Sequence, residues 1–112
     1  MGAKQEAYLR SQPRANLAFA QLGSVELELI EPGEGENIYW EFLRAKGEGV
    51  HHFGLFVSDI DRELAKFRER GIEVLQSGNT PDARYAYMDT ESLAGIILEL
   101  LQRKQSSASQ GL

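Results

Sequence analysis

The 112-residue sequence has no cysteine, which excludes a disulfide scaffold, a thiolate metal site and a cysteine nucleophile. Stability must come from burial or from association with another chain, and a reducing cytoplasm is the expected compartment. Proline is scarce, at 3 residues, and 42% of the chain is apolar against 26% charged, which excludes collagen-like, mucin-like and disordered acidic chains. Positive charge is in deficit: 12 Lys and Arg face 17 Asp and Glu, a formal net charge of -5, and no basic cluster is dense enough to hold a phosphate backbone. Nucleic acid is thereby excluded as a partner. No apolar run approaches the roughly 18 residues that cross a bilayer, and the opening MGAKQEAYLRSQ has no hydrophobic stretch of the signal-peptide kind. A soluble, unexported protein with no membrane partner is expected, too short for two independent cores.

What the chain does contain is alternation. ANLAFAQLGSVELELIE, from Ala15 to Glu31, reads as two strands, 15–21 and 25–31, joined by Gly23-Ser24. Pro32 to Asn37 breaks regularity, with Asn37 placed to cap a short linker helix carrying Ile38, Tyr39, Phe42 and Leu43. After Gly47-Glu48-Gly49, the run VHHFGLFV is apolar and aromatic enough for a buried strand. Ser58 or Asp59 then caps a helix whose Ile60, Leu64 and Phe67 share one face, and Gly71 stands where it stops. IEVLQS, a polar loop through residues 78–82, RYAYMD, a turn and GIILELLQ complete a β-α-β-β-β order. The Ser- and Gln-rich residues 104–112 are expected to be a disordered tail.

VELELIE aligns with IILELLQ, pairing Glu28 with Glu99 at a separation of 71 positions, and Leu17-Ala18-Phe19 aligns with Tyr85-Ala86-Tyr87. The chain therefore reads as two copies of one module. The first copy's counterpart of His52 would fall about 19 positions before Met1. The expected organisation is a partial first module of strands only (1–37), a linker helix (38–49), a complete βαβββ module (50–103) and the tail.

Side chains alternate across a strand, so His51, Phe53, Leu55 and Val57 fall on one face, suited to packing under a helix, and His52, Gly54 and Phe56 on the other. Gly54 beside His52 is expected to leave space for a ligand. Glu99 lies between Ile97 and Leu101 on its face; such a carboxylate faces water, pairs with a cation or binds metal. Glu28 has the same place in the first copy. His52, Glu28 and Glu99 together would offer one nitrogen and two oxygens, a donor set for Zn, Ni, Co, Mn or Fe(II).

GEGVHHFGLFVSDID, the helix after it, RYAYMDT and GIILELLQ resemble the vicinal oxygen chelate (glyoxalase/bleomycin resistance/dioxygenase) superfamily, nearest to its methylmalonyl-CoA epimerase-like and lactoylglutathione-lyase-like members, over roughly residues 13–103. The resemblance implies an α+β fold of paired βαβββ modules in a cupped mixed sheet, here with a first module lacking its initial strand and helix. It implies a divalent metal held by His52, Glu99 and Glu28, with His51 as a packing residue and no counterpart for a fourth, histidine, ligand. It also implies Glu99 or Glu28 as the base that removes an α-proton, and Asn16 where epimerases carry a further acid. Asn16 and Phe56 are the candidate substrate contacts.

Two functions follow as expectations. One is a metal-dependent isomerase or lyase that stabilises the enolate of a small oxygenated or thioester substrate. The other is a non-catalytic small-molecule binding protein of the drug-resistance kind, or a truncated, inactive member. A sheet without its first strand leaves an open edge and an uncovered apolar face, so a homodimer is expected, with Trp40, Phe42 or the strand around Phe53 near the contact.

Overall fold

The computed structural model describes residues 15–105, and of the expected tail, 104–112, all but Lys104 and Gln105 lies outside the described residues. The chain divides after Gly49 into two compact units. The first holds strands β1 (Ala15–Leu22) and β2 (Val25–Pro32) and helix α1 (Ile38–Lys46). β1 and β2 pair antiparallel, with Leu22 opposite Val25 across the two-residue loop Gly23-Ser24. Gly23 sits at φ 62, a left-handed conformation that glycine adopts without steric penalty.

The register divides the hairpin into two faces. Leu17, Phe19, Ile30 and Glu28 share one, while Ala18, Ala20, Leu22, Val25, Leu27 and Leu29 make the other apolar along its length. At its end Asn16 donates to Glu31 at 2.8 Å. Asn37 is completely buried, and its side-chain oxygen accepts from the backbone N–H groups of Tyr39 and Trp40, both at 3.0 Å, as a helix cap should. Trp40 donates its indole N–H to the Gly33 carbonyl, which ties the helix to the loop before it.

The second unit is a complete βαβββ module: β3 (His52–Phe56), α2 (Ile60–Glu69), β4 (Val74–Asn79), β5 (Ala83–Met88) and β6 (Ile97–Arg103), with a single turn of helix, α3 (Glu91–Ala94), before β6. The sheet order is β3-β6-β5-β4, with β3 parallel to β6 and the other pairs antiparallel. The fold is α+β. Ile60, Ala86, Met88 and Leu100 form its core, with Val57, Leu64, Phe67, Ile72 and Val74 packed against them. α2 thus covers the sheet face that bears Leu100, Ala86 and Met88. Asp59 caps it by accepting from Arg62 N–H at 3.1 Å, and Gln102 on β6 accepts from Ile60 N–H at 2.8 Å. The Arg84 guanidinium grips the Asp61 carboxylate through both ends, at 3.0 and 3.1 Å, and holds that carboxyl below its usual range.

Three expectations are corrected here. Among the described residues β3 pairs with β6 alone, and Phe53 and Leu55 are 57% and 48% exposed rather than buried under the helix. The polar loop is shorter than residues 78–82, because Gly78 and Asn79 extend β4 and the turn closes at Thr80, whose hydroxyl accepts from Asp82 and Ala83 N–H. The turn before β6 contains α3, and Thr90 fastens it: its hydroxyl donates to the Ile96 carbonyl at 2.8 Å and accepts from Leu98 N–H at 2.9 Å. That clamp fixes the start of β6, and with it the position of Glu99.

Candidate functional site

The sheet face away from α2 carries the polar side chains. Gly54 pairs with Glu99, Glu99 with Tyr87 and Tyr87 with Gln76, so these four residues make one row across all four strands. His52, two residues before Gly54, projects from the same face at the edge strand. Its Nε2 lies 3.2 Å from Glu99 Oε1, and the two side chains are only 9% and 11% exposed.

Gly54 is where this contact is made possible. A Cβ there would stand 3.0 Å from Leu101 Cδ1 and 3.4 Å from Glu99 Oε1. The room left by the missing side chain is therefore filled by neighbouring side chains, which corrects the expectation of open space for a ligand. Phe56 follows on the same strand, 58% exposed, with the Arg103 guanidinium 4.0 Å above its ring centre.

His51 is not a packing residue under the helix. It precedes the first residue of β3, so strand alternation does not dictate its direction, and its ring stands edge-on to His52 (5.1 Å between centres) and to Tyr87 (5.9 Å). Its Nδ1 lies 2.9 Å from Nδ1 of His52. Burial, reinforced by the neighbouring His52, lowers the His51 pKa to about 4, so the ring is neutral at neutral pH. Tyr87 also meets His52 edge-on, at 5.0 Å.

Gln76 reaches this face through a bulge. Val74 pairs with Met88 and Gln76 with Tyr87, leaving Leu75 as the extra residue. Without it Val74 and Gln76 would point the same way; with it Val74 enters the core and Gln76 joins the polar row. Gln76 is 1% exposed, and neither end of its carboxamide has a hydrogen-bond partner among the described residues. Nothing in VLQSGN marks a bulge, so this placement was not legible from composition or alternation. Tyr87 was legible in principle, because alternation in RYAYMD sets Tyr85 and Tyr87 on one face.

Of the five candidate residues, then, the structure brings His52 and Glu99 together, with Phe56 on their sheet face. Asn16 and Glu28 belong to the hairpin unit, where the register sets them on opposite faces: Asn16 stands opposite Glu31, and Glu28 opposite Phe19. Among the described residues no group of three or more His, Asp and Glu side chains is gathered to hold a metal ion. The pair nonetheless suits one as part of a site. An imidazole nitrogen and a carboxylate oxygen are ordinary ligands of Zn and its neighbours, and a tetrahedral ion with bonds of about 2.1 Å sets its donors roughly 3.4 Å apart.

Comparison with known proteins agrees with the fold. The chain is 28% identical over 96 residues to the uncharacterised protein YqjC of Bacillus subtilis, spanning 83% of this chain and 69% of that one. Methylmalonyl-CoA epimerase of Mycobacterium tuberculosis superposes with a TM-score of 0.69 at 15% identity, over 96% of this chain and 83% of the other. The Streptomyces coelicolor epimerase, solved as a variant with 2-nitronate-propionyl-CoA, gives 0.67 at 22% identity, over 97% and 88%. At these identities the two superpositions show a shared fold. The profile of the glyoxalase/bleomycin resistance protein/dioxygenase superfamily matches residues 1–87, and the chain belongs to that superfamily.

Proposed function

We propose that this protein is a divalent-metal-dependent isomerase or lyase acting on a small oxygenated substrate or its thioester. The observation that carries the reading is the 3.2 Å approach of His52 Nε2 to Glu99 Oε1 on two side chains nearly closed to water. His52 and Glu99 are the proposed metal ligands. A bound divalent ion would supply Lewis-acid polarisation of the substrate oxygens. The chain's own groups do the rest. The Glu99 carboxylate accepts the α-proton, and Phe56 offers an apolar surface held in place by Arg103.

The test is α-proton exchange. Methylmalonyl-CoA, held by one epimerase of the same fold, is incubated with the protein in deuterated water with and without Co²⁺ and followed by proton NMR. Metal-stimulated exchange that falls about 100-fold or more in Glu99→Gln supports the proposal. Binding without exchange would favour a non-catalytic binding protein instead, a reading supported by the absence of a three-residue ligand group among the described residues. Self-association belongs to the same proposal: Leu22, Val25 and Leu29 on the apolar hairpin face are 59%, 62% and 59% exposed, and a second copy would cover them. Sedimentation at micromolar concentration should show a dimer, and a stable monomer would reject it.

A further inference from the structure

The contact between the two adjacent histidines has a chemical requirement of its own. Two Nδ1 atoms 2.9 Å apart are hydrogen-bonded only when one carries a proton and the other a lone pair. That leaves two arrangements for a pair of neutral rings. In the first, His51 Nδ1–H donates to His52 Nδ1, and His52 Nε2–H donates to Glu99 Oε1 across 3.2 Å. In the second, His52 Nδ1–H donates to His51 Nδ1, which leaves His52 Nε2 with a free lone pair and puts the His51 proton on its own Nε2. Only the second lets His52 act as a ligand.

We propose that His51 is a positioning residue: it fixes the tautomer and ring direction of His52, and the pair exchanges the first arrangement for the second when a cation arrives. Tyr87 supports the geometry, since it meets both rings edge-on at 5.9 and 5.0 Å and so limits their rotation. The inference rests on the metal-binding reading of His52 and Glu99, but its first test does not.

In metal-free protein with 15N-labelled imidazoles, a nitrogen–nitrogen scalar coupling between His51 and His52 Nδ1 is expected, together with His52 protonated at Nε2. Zn²⁺ is expected to move the His52 proton to Nδ1. In His51→Phe, which keeps a flat ring in the same place, affinity for Zn²⁺ should fall about 10- to 100-fold by calorimetry. His51→Asn, whose side-chain oxygen falls near the position of Nδ1, should recover most of the loss. Absence of the coupling, or equal Zn²⁺ affinity in parent and His51→Phe, would overturn the proposal. If the parent binds no Zn²⁺ the metal reading itself fails, while the coupling in metal-free protein still decides whether His51 sets the tautomer of His52. Should the Phe variant not fold, the Asn variant and the coupling decide the matter.

Discussion

Replacing Gln76 by Met should make the protein more stable. The side chain is 1% exposed and both polar atoms of its carboxamide lack partners among the described residues. A buried donor or acceptor left unsatisfied costs about 1–3 kcal/mol, and methionine keeps nearly the same length and volume without either group. A gain of about 2 kcal/mol is a conservative expectation, and for a domain of this size that raises Tm by roughly 8 °C or more. Urea unfolding should show the same change as a higher midpoint with an unchanged slope. Gln76 stands in the polar row with Tyr87 and Glu99, so ligand binding on that face is expected to weaken as stability rises. Loss of about 1 kcal/mol or more in Gln76→Met would refute the reasoning, because it would mean that the carboxamide is hydrogen-bonded and holds β4 in place.

Acid should act through His51. Its folded pKa of about 4 lies below the ordinary 6.5, so between those values the unfolded chain binds the extra proton; stability should rise with pH across that window, be complete above 6.5, and be lost as pH falls towards 4. Allowing for solvent screening at a site not wholly closed to water, the amplitude should be about 1–2 kcal/mol, and chelator-treated His51→Phe should lose it in urea melts at a series of pH values. Gly54→Ala places a methyl group 3.0 Å from Leu101 Cδ1 and 3.4 Å from Glu99 Oε1, so it should cost about 1 kcal/mol in thermal unfolding and weaken Zn²⁺ binding in calorimetry. Asn37→Ala removes a buried cap with two backbone bonds and should cost about 1–2 kcal/mol in the same unfolding assay; a change below 0.3 would contradict the capping role.

Much of the fold was legible because local rules and packing agree. Asn37 and Asp59 cap where they were expected to, Gly71 ends α2 at φ 77, and Ile60, Leu64 and Phe67 face the core. The approach of His52 to Glu99 was legible from alternation along two strands. What escaped was set by pairing rather than by composition. VHHFGLFV has the content of a central strand yet lies at the sheet edge, and only the neighbour on its other side would have buried Phe53 and Leu55. Gly54 reads as a gap in sequence and is a close approach in space. His51 escapes alternation by standing one residue outside the ladder, and the bulge at Leu75 reverses the faces of Val74 and Gln76 with no residue that announces it. Asn16 and Glu28 look like members of one site until the register of the hairpin sets them on opposite faces.

The most direct measurement is anomalous diffraction from crystals grown with Zn²⁺. A peak about 2.0–2.2 Å from both His52 Nε2 and a carboxylate oxygen of Glu99, absent in His52→Ala, is the expected result. Crystals in which those two atoms keep their direct 3.2 Å contact with no metal between them, or in which the ion sits on other residues, would contradict the account.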